Sequence, residues 1–249
     1  MINTYIPKII LKAYLSLLIL LSIILDKDLT LLIVLQNTLI FSLISALIFY
    51  IFDSFEENKF TYASVVTYLR VIISIILLSI AINSPLDQNI FNKFYLEDYF
   101  ILLAFISLCL DGIDGYIARI LNEQSNFGEL FDQDADTFLI LILCISLYLN
   151  KDVNFLVFFI PFYRYIFILL SMKYAWIKCK LPESYYRKLS CVVTTCLLIG
   201  CHSHYIKDMS LDYLVLSSLF VITFSFAKDI LWLYNRDKYE KNKHTIVLD

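Results

Sequence analysis

The sequence predicts an all-α integral membrane protein, polytopic, with about eight membrane-spanning helices. Of its 249 residues, 60% are hydrophobic and 17% are charged, whereas a soluble domain averages about 45–50% apolar and about 25% charged. Apolar runs long enough to cross a bilayer core, which needs about 20 residues, recur along the chain. A soluble core of this length could not bury so much apolar surface, so the chain must meet lipid.

The apolar segments follow one another with short polar connections, and no small-residue cleavage site follows the first. The segments at 136–150 and 189–204 are short, but each adjoins polar sequence that would extend a helix beyond the membrane. In chain order the predicted spans are 8–25, 29–52, 64–82, 99–121, 136–150, 153–173, 189–204 and 211–234.

The basic residues predict the orientation of these spans, because Lys and Arg concentrate in cytoplasmic loops. Placing the N-terminus inside puts most of the 20 Lys and Arg residues on the cytoplasmic side, together with both termini and the stretch 111–136. The polar residues 53–60 divide the chain. We therefore predict a transmembrane hairpin over 1–60, an integral membrane domain over 61–234 and a cytoplasmic tail over 235–249.

Composition excludes several other classes of protein. The net charge of -3 does not favour a nucleic-acid partner. The six cysteines show no CxxC spacing and are interpreted as reduced apolar filler. His202 and His204 are about 200° apart on a helix, which favours histidines at the membrane interface over a metal pair.

Residues 111–136 read DGIDGYIARILNEQSNFGELFDQDAD and contain three of the four glycines of the chain. Gly112 is the one of these three to which we assign only close packing. If the preceding span continues as helix through 119, Asp111 and Asp114 lie about 60° apart on one face. Asp132 and Asp136 share a face of the next helix, whereas Asp134 points away and is interpreted as a bystander.

Four carboxylates at close range stay ionised only beside cations. All-oxygen ligands suit Mg²⁺, Mn²⁺ or Ca²⁺, and two such ions form the usual clamp for moving a phosphoryl group. Gly115 and Ala118 leave the same helix stripe nearly bare, and Arg119 supplies a fork suited to phosphate. The plain alternative is a hydrated acidic loop between two spans.

The stretch fits the pattern D-x2-D-G-x2-A-R-x8-G-x3-D-x3-D at every fixed position. It resembles the signature of the CDP-alcohol phosphatidyltransferase family, and the resemblance covers about residues 61–234. The family resemblance implies a six-span core with its active site at the cytoplasmic end. The matching positions are Asp111, Asp114, Gly115, Ala118, Arg119, Gly128, Asp132 and Asp136.

The resemblance also implies roles for these residues. Asp111, Asp114, Asp132 and Asp136 would hold two divalent ions, Mg²⁺ or Mn²⁺, and Asp136 would deprotonate the attacking alcohol. The alcohol would attack phosphorus in a CDP-activated donor, with CMP leaving. The CDP-binding residues would be Gly115, Ala118, Arg119, Gly128 and Thr67.

Three basic residues are candidates for a phosphate contact. Arg70 follows Thr67 as in the family's Thr-x2-Arg element, with Ser64 where Asn is common, and is either that contact or a helix-end Arg at the head groups. Arg164 is either an acceptor-phosphate ligand or half of a structural ion pair. Lys188 is either a phosphate contact or a positive-inside anchor.

These observations predict a transferase of phospholipid biosynthesis in the inner membrane of a bacterium, because 130–143 and 181–193 resemble a bacterial branch of the family. Its partners would be CDP-diacylglycerol, a small hydroxylated acceptor, the lipid bilayer and a second copy of the chain. The two leading spans would either contact that second copy or be only an accessory hairpin. The alternatives are a CDP-choline or CDP-ethanolamine type enzyme with diacylglycerol as acceptor, a cation transporter and an inactive scaffold.

Overall fold

The computed structural model describes residues 6–25, 30–55, 60–83, 90–121, 125–178, 185–203, 206 and 208–246. These residues form eight α-helices and no β-strand, so the all-α prediction is confirmed for them. The helices are α1 (Ile6–Leu25), α2 (Leu31–Asp53), α3 (Tyr62–Asn83), α4 (Ile90–Ile120), α5 (Asn126–Asn150), α6 (Phe159–Lys173), α7 (Tyr185–Cys201) and α8 (Asp208–Ile246).

Side-chain caps explain where two of these helices begin. The side chain of Thr30 accepts a hydrogen bond from the backbone N–H of Ile33 at the start of α2. Ser125 does the same for Gly128 at the start of α5, with an N···O distance of 3.0 Å. Each cap satisfies one of the backbone N–H groups that a first helical turn leaves without an intrahelical acceptor.

The two short predicted segments are parts of longer helices, as the adjoining polar sequence indicated. α5 begins at Asn126, so its acidic first half continues the apolar segment predicted over 136–150. α7 begins at Tyr185, ahead of the predicted 189–204. α4 continues through 119, as the face shared by Asp111 and Asp114 requires.

Five of the described helices contain a stretch long and apolar enough to cross a membrane. α5 is interrupted by acids and α7 is short, so neither is among the five, and for α1 the described apolar stretch is Ile10–Ser22. The chain is therefore a multi-pass membrane protein, whereas its division into six core and two leading spans stays a prediction. The five stretches are 31–53, 62–83, 96–120, 155–173 and 210–236.

α3 lies at the centre of the fold. It packs against α4 and α5, its most extensive neighbours, and also contacts α1 and α2. Its side chains are buried on nearly all sides, including both its isoleucine-rich half and its polar first turns. A helix that is hydrophobic all round is typical of such an interior position.

The hairpin formed by α1 and α2 is joined to α3 by buried polar contacts. The hydroxyls of Ser45 and Tyr68 lie 2.7 Å apart, and Asn37 Nδ2 donates to Ser79 Oγ at 2.9 Å. Hydrogen bonds between helices contribute to association in lipid, where apolar contacts have no aqueous driving force. The leading helices are therefore packed on the core rather than separate from it.

A cluster of aromatic rings connects the end of α2 to the start of α5. The ring centroids of Phe52 and Phe127 lie 5.0 Å apart, and those of Phe127 and Phe131 lie 5.5 Å apart. Phe60, just before α3, contacts both Phe52 and Phe127. This packing fixes the first turns of α5, which carry Asp132.

His202 is buried at the end of α7, and its position at the depth of the membrane interface stays a prediction. Its ring stacks on Phe100 with the centroids 4.5 Å apart, and its Nδ1 lies 2.9 Å from the carbonyl oxygen of Leu198. The end of α7 closes against α4 and α5 and leaves this side chain inside. His204 lies outside the described residues.

We expect Leu17→Ala to lower the melting temperature of the detergent-solubilised protein, because Leu17 of α1 is fully buried in the core. The loss should correspond to roughly 0.5–3 kcal/mol. Leu15→Ala is the matched control, since Leu15 of the same helix is half exposed. Equal melting temperatures for the two variants would contradict the packing of α1 on the core.

Candidate active site

Four aspartates from two helices converge on one arginine from a third. Arg70 of α3 places its Nη1 atom 3.0 Å from Asp111 Oδ1 and 3.0 Å from Asp114 Oδ2, both on α4. The same nitrogen lies 2.6 Å from Asp132 Oδ1 on α5. Its other terminal nitrogen, Nη2, donates to Asp136 Oδ1, one turn further along α5. All four sequence-predicted carboxylates therefore pair with one guanidinium, three at Nη1 and one at Nη2.

This centre is buried on the α3 side and open on the other. Arg70 is 1% exposed and Asp114 is 2% exposed, whereas the side chains of Asp111, Asp132 and Asp136 keep 23%, 39% and 28% of their surface accessible. One guanidinium among four carboxylates leaves a formal excess of negative charge. The open side is thus a strongly attractive site for cations.

The first turns of α3 support the centre through Thr67. The Thr67 hydroxyl lies 3.1 Å from Asp114 Oδ2 and 3.1 Å from the backbone carbonyl of Ala63, and can donate to either. Ser64, at the position where the family often has Asn, is buried and bonded to Thr61. The placement of Arg70 corrects one sequence alternative: it is buried among the aspartates and is not a helix-end arginine at the head groups.

The carboxylates fit a hard divalent ion. One oxygen from each of Asp111, Asp114 and Asp132 can be chosen so that all three lie within 4.8 Å of one another. Two oxygens bound to one Mg²⁺ at about 2.0–2.1 Å are at most about 4.2 Å apart, and Ca²⁺ spans more. The group therefore needs only a small closure. Arg70 Nη1 lies at the focus of these oxygens, so a cation at that point and Arg70 exclude each other.

The glycines beside the aspartates differ in their surroundings. A Cβ added to Gly115 or Gly112 would meet no other atom within 4 Å, so both face open space. The close packing suggested for Gly112 is therefore not found. At Gly128 an added Cβ would lie 3.0 Å from Ser125 Oγ, which is the atom that caps α5. Gly128 keeps this cap undisturbed, next to Ser64.

Three other predicted site residues lie at the edge of the centre or away from it. Ala118 is half-buried near the end of α4, and Arg119 is exposed beside it. Lys188 is exposed on the first turn of α7. Within the part of the chain that the structure describes, neither Arg119 nor Lys188 forms a hydrogen bond or an ion pair.

Arg164 of α6 is held by Asp134, the aspartate that sequence reasoning set aside. Arg164 Nη2 lies 2.5 Å from Asp134 Oδ1, and Nη1 lies 3.5 Å from Thr137 Oγ1. Asp134 occupies the face of α5 opposite Asp132 and Asp136, because it is two residues from each. Of the two interpretations of Arg164, the structure shows the ion pair, which lies on the side of α5 that faces α6.

One neighbour of the centre was missed by sequence reasoning. The Sγ atom of Cys191 on α7 lies 4.0 Å from Asp136 Oδ2, although the cysteines were interpreted as apolar filler. The sequence did contain a signal for Cys191. It lies three residues after the candidate phosphate contact Lys188, so the two residues share a face of α7. Asp136 is consequently contacted from α3 through one oxygen and approached from α7 at the other.

The family model described as CDP-alcohol phosphatidyltransferase matches residues 60–232. The chain belongs to this family. It is therefore a membrane-embedded transferase of phosphate-containing groups that acts in phospholipid biosynthesis on CDP-alcohol substrates with a divalent metal ion. Comparisons with curated proteins and with solved structures find no match.

We expect Arg70→Gln to lower the melting temperature in EDTA by removing the only cation that contacts these carboxylates in the described structure. Breaking a buried pair from one side typically costs about 3–5 kcal/mol. Added Mg²⁺ should raise the melting temperature of this variant more than that of the unsubstituted protein, since the ion then replaces the missing charge.

Arg164→Gln is the matched control for this measurement. It also removes an arginine paired with an aspartate, but at a distance from the four-carboxylate centre. An equal response of both variants to Mg²⁺ would contradict the central placement of Arg70.

Proposed function

We propose that the protein transfers a phosphatidyl group from CDP-diacylglycerol to a small hydroxylated acceptor and releases CMP. The reaction takes place at the cytoplasmic face of a bacterial inner membrane, the side on which the distribution of basic residues puts the centre. The observation that carries this proposal is the meeting of Asp111, Asp114, Asp132 and Asp136 beside an open, glycine-bearing helix stripe.

The four aspartates are proposed as ligands of two divalent ions, Mg²⁺ or Mn²⁺. When bound, these ions neutralise the donor pyrophosphate and polarise its oxygens. The carboxylates themselves contribute preorganisation, because Thr67 bonds to Asp114 and the Ser125 cap sets the start of α5 before substrate arrives.

Asp136 is proposed as the base as well as a ligand. It is partly open to solvent and has one oxygen, Oδ2, that among the described residues accepts the weak Cys191 contact alone. The acceptor hydroxyl gives its proton to this carboxylate while its oxygen forms a new bond to the lipid-bearing phosphorus. The bond from that phosphorus to the bridging oxygen breaks, and the electron pair leaves with CMP.

The CDP portion is proposed to lie along the stripe formed by Gly115 and Ala118, with Gly128 and Thr67 across from it. Gly115 faces open space, as close approach of a nucleotide requires. Arg119 is exposed on the same helix and has no protein partner among the described residues, so its guanidinium can donate two parallel hydrogen bonds to a phosphate.

Arg70 is proposed to have two positions. Without ions it holds the four carboxylates together, and its Nε has no hydrogen-bond partner among the described residues. With ions bound by the carboxylates, its guanidinium would be free of them and would contact a substrate phosphate. The buried position of its backbone on α3 keeps the head group beside the reacting atoms in both cases.

The proposed organisation follows the sequence division. Residues 1–60 are proposed as an accessory hairpin, whose helices α1 and α2 pack on α3, residues 61–234 as the catalytic domain, and residues 235–249 as a cytoplasmic tail. α8 continues as one helix from the membrane through Ile246, so the proposed tail begins as a helical extension.

We expect Asp136→Asn to reduce CMP release from CDP-diacylglycerol by about 10²–10⁴-fold, the usual contribution of a general base. Release of radiolabelled CMP by purified protein with Mg²⁺ measures this. Asp134→Asn is the matched control, because it removes the same charge two residues away and should retain most of the activity. Undiminished release by Asp136→Asn would contradict the assignment of the base.

The ion pair of Arg164 gives a separate prediction about the acceptor. If Arg164 is structural, Arg164→Gln should lower stability without raising the KM of the acceptor selectively, and a second change, Asp134→Asn, should restore stability by removing the orphaned carboxylate. A screen of glycerol 3-phosphate, serine, inositol phosphate, inositol and choline supplies the acceptor for this assay.

A selective rise in the KM of a phosphorylated acceptor, without loss of stability, would instead identify Arg164 as a phosphate ligand. Supplying CDP-choline with diacylglycerol in place of CDP-diacylglycerol tests the direction of transfer in the same assay.

A further inference from the structure

A groove on the outside of the bundle runs between α7 and α8. It has a volume of about 210 Å³ and is lined on the α7 side by Tyr186, Leu189, Ser190 and Val193. On the α8 side it is lined by Val221, Phe224, Ser225 and Lys228. Both sets recur at spacings of three and four residues, so each is one continuous face of its helix.

The groove changes character along its length. Its apolar walls are Leu189, Val193, Val221 and Phe224, and its other end carries Arg187, Lys228 and Asp229. Arg187 Nη1 lies 3.5 Å from Asp229 Oδ2, whereas Lys228 Nζ lies over the ring of Tyr186, 4.1 Å from its centroid. Among the described residues that line it, the charged end therefore carries two cations and one anion.

The residues beside the charged end of the groove are those typical of a membrane–water interface. One turn beyond Lys228 on α8 is Trp232, and one turn further is Arg236, whose guanidinium carbon lies 5.7 Å from the Trp232 ring centroid. Trp and Tyr concentrate at the interface, and Lys and Arg on its cytoplasmic side. The apolar end points along the span of α8 into the hydrocarbon region.

We propose that this groove binds an anionic phospholipid from the surrounding leaflet. The lipid phosphate contacts Lys228 and the solvent-facing side of the Arg187 guanidinium. The first part of an acyl chain packs along Leu189, Val193 and Phe224. The exposed fractions of Tyr186 and Phe224, 67% and 66%, show that the groove opens sideways. Its volume is below the roughly 300–1,000 Å³ of sites that enclose a whole ligand, as expected if most of the lipid stays in the bilayer.

This site is separate from the aspartate centre. The groove uses the face of α7 that contains Tyr186, Leu189 and Val193, whereas Cys191 on another face of α7 approaches Asp136. The ligand is a membrane phospholipid without a cytidine group, so its binding does not depend on the proposed transfer reaction.

The two tryptophans of the chain, Trp176 and Trp232, allow a direct test. Trp176→Phe leaves Trp232, one turn from Lys228, as the only indole. Purified full-length protein in neutral detergent is titrated with phosphatidylglycerol or phosphatidylcholine, each brominated on its acyl chains, and quenching of Trp232 fluorescence is measured. We expect phosphatidylglycerol to quench at a several-fold lower mole fraction than phosphatidylcholine.

Lys228→Gln should reduce this preference about fivefold, the effect of one cation near an anionic head group. Lys173→Gln is the matched control, because Lys173 also lies at the end of an apolar helix beside a tyrosine, with its Nζ 5.7 Å from the Tyr174 ring centroid. It should leave the preference unchanged. Both variants alter exposed lysines, and their melting temperatures confirm folding.

Four results would overturn the proposal. The first is equal quenching by the two lipids, and the second is an equal loss of preference in both lysine variants, which indicates general surface attraction. The third is complete loss of lipid quenching when millimolar inorganic phosphate is added, which indicates a site that binds phosphate but does not recognise a lipid. Light scattering in the same samples identifies a fourth outcome, quenching that follows dimer formation, and this would replace the lipid by a second copy of the chain.

Discussion

Four carboxylates occupy one small volume in this protein only because a positive charge holds them there. Arg70 supplies that charge from α3, the helix that is buried on nearly all sides. Helices α4 and α5 can approach α3 closely at this level because the guanidinium reduces the repulsion between their aspartates. The position of the centre, and with it the packing of the two motif helices, depends on this contact.

The same contact explains why the site is poised for divalent cations. A single guanidinium leaves negative charge uncompensated, and three of the aspartates keep accessible surface on the open side. In the proposed mechanism, ions held by these carboxylates would take the place of Arg70 at the focus of the oxygens. The guanidinium would then be available to the phosphates of a CDP-alcohol, so one residue would serve both the resting and the loaded arrangement.

The remainder of the fold fixes the three helices that meet at the centre. The aromatic cluster of Phe52, Phe60 and Phe127 ties the leading hairpin to the start of α5, and the Ser125 cap sets the first turn of that helix. Hydrogen bonds from Ser45 and Asn37 join α2 to α3. The hairpin is thus a support for the helices that carry the four aspartates, in addition to any role between copies of the chain.

The sequence by itself determined the all-α class, the family and the identity of the acidic centre. Hydropathy and helical spacing are local properties, so residues three and four apart could be placed on common faces without knowing the neighbours of those faces. Only the tertiary structure decided that Arg70 lies between all four aspartates, that Asp134 holds Arg164 and that Cys191 approaches Asp136. Each of these contacts joins different helices, and a helical period indicates which way a side chain points but not which helix it meets.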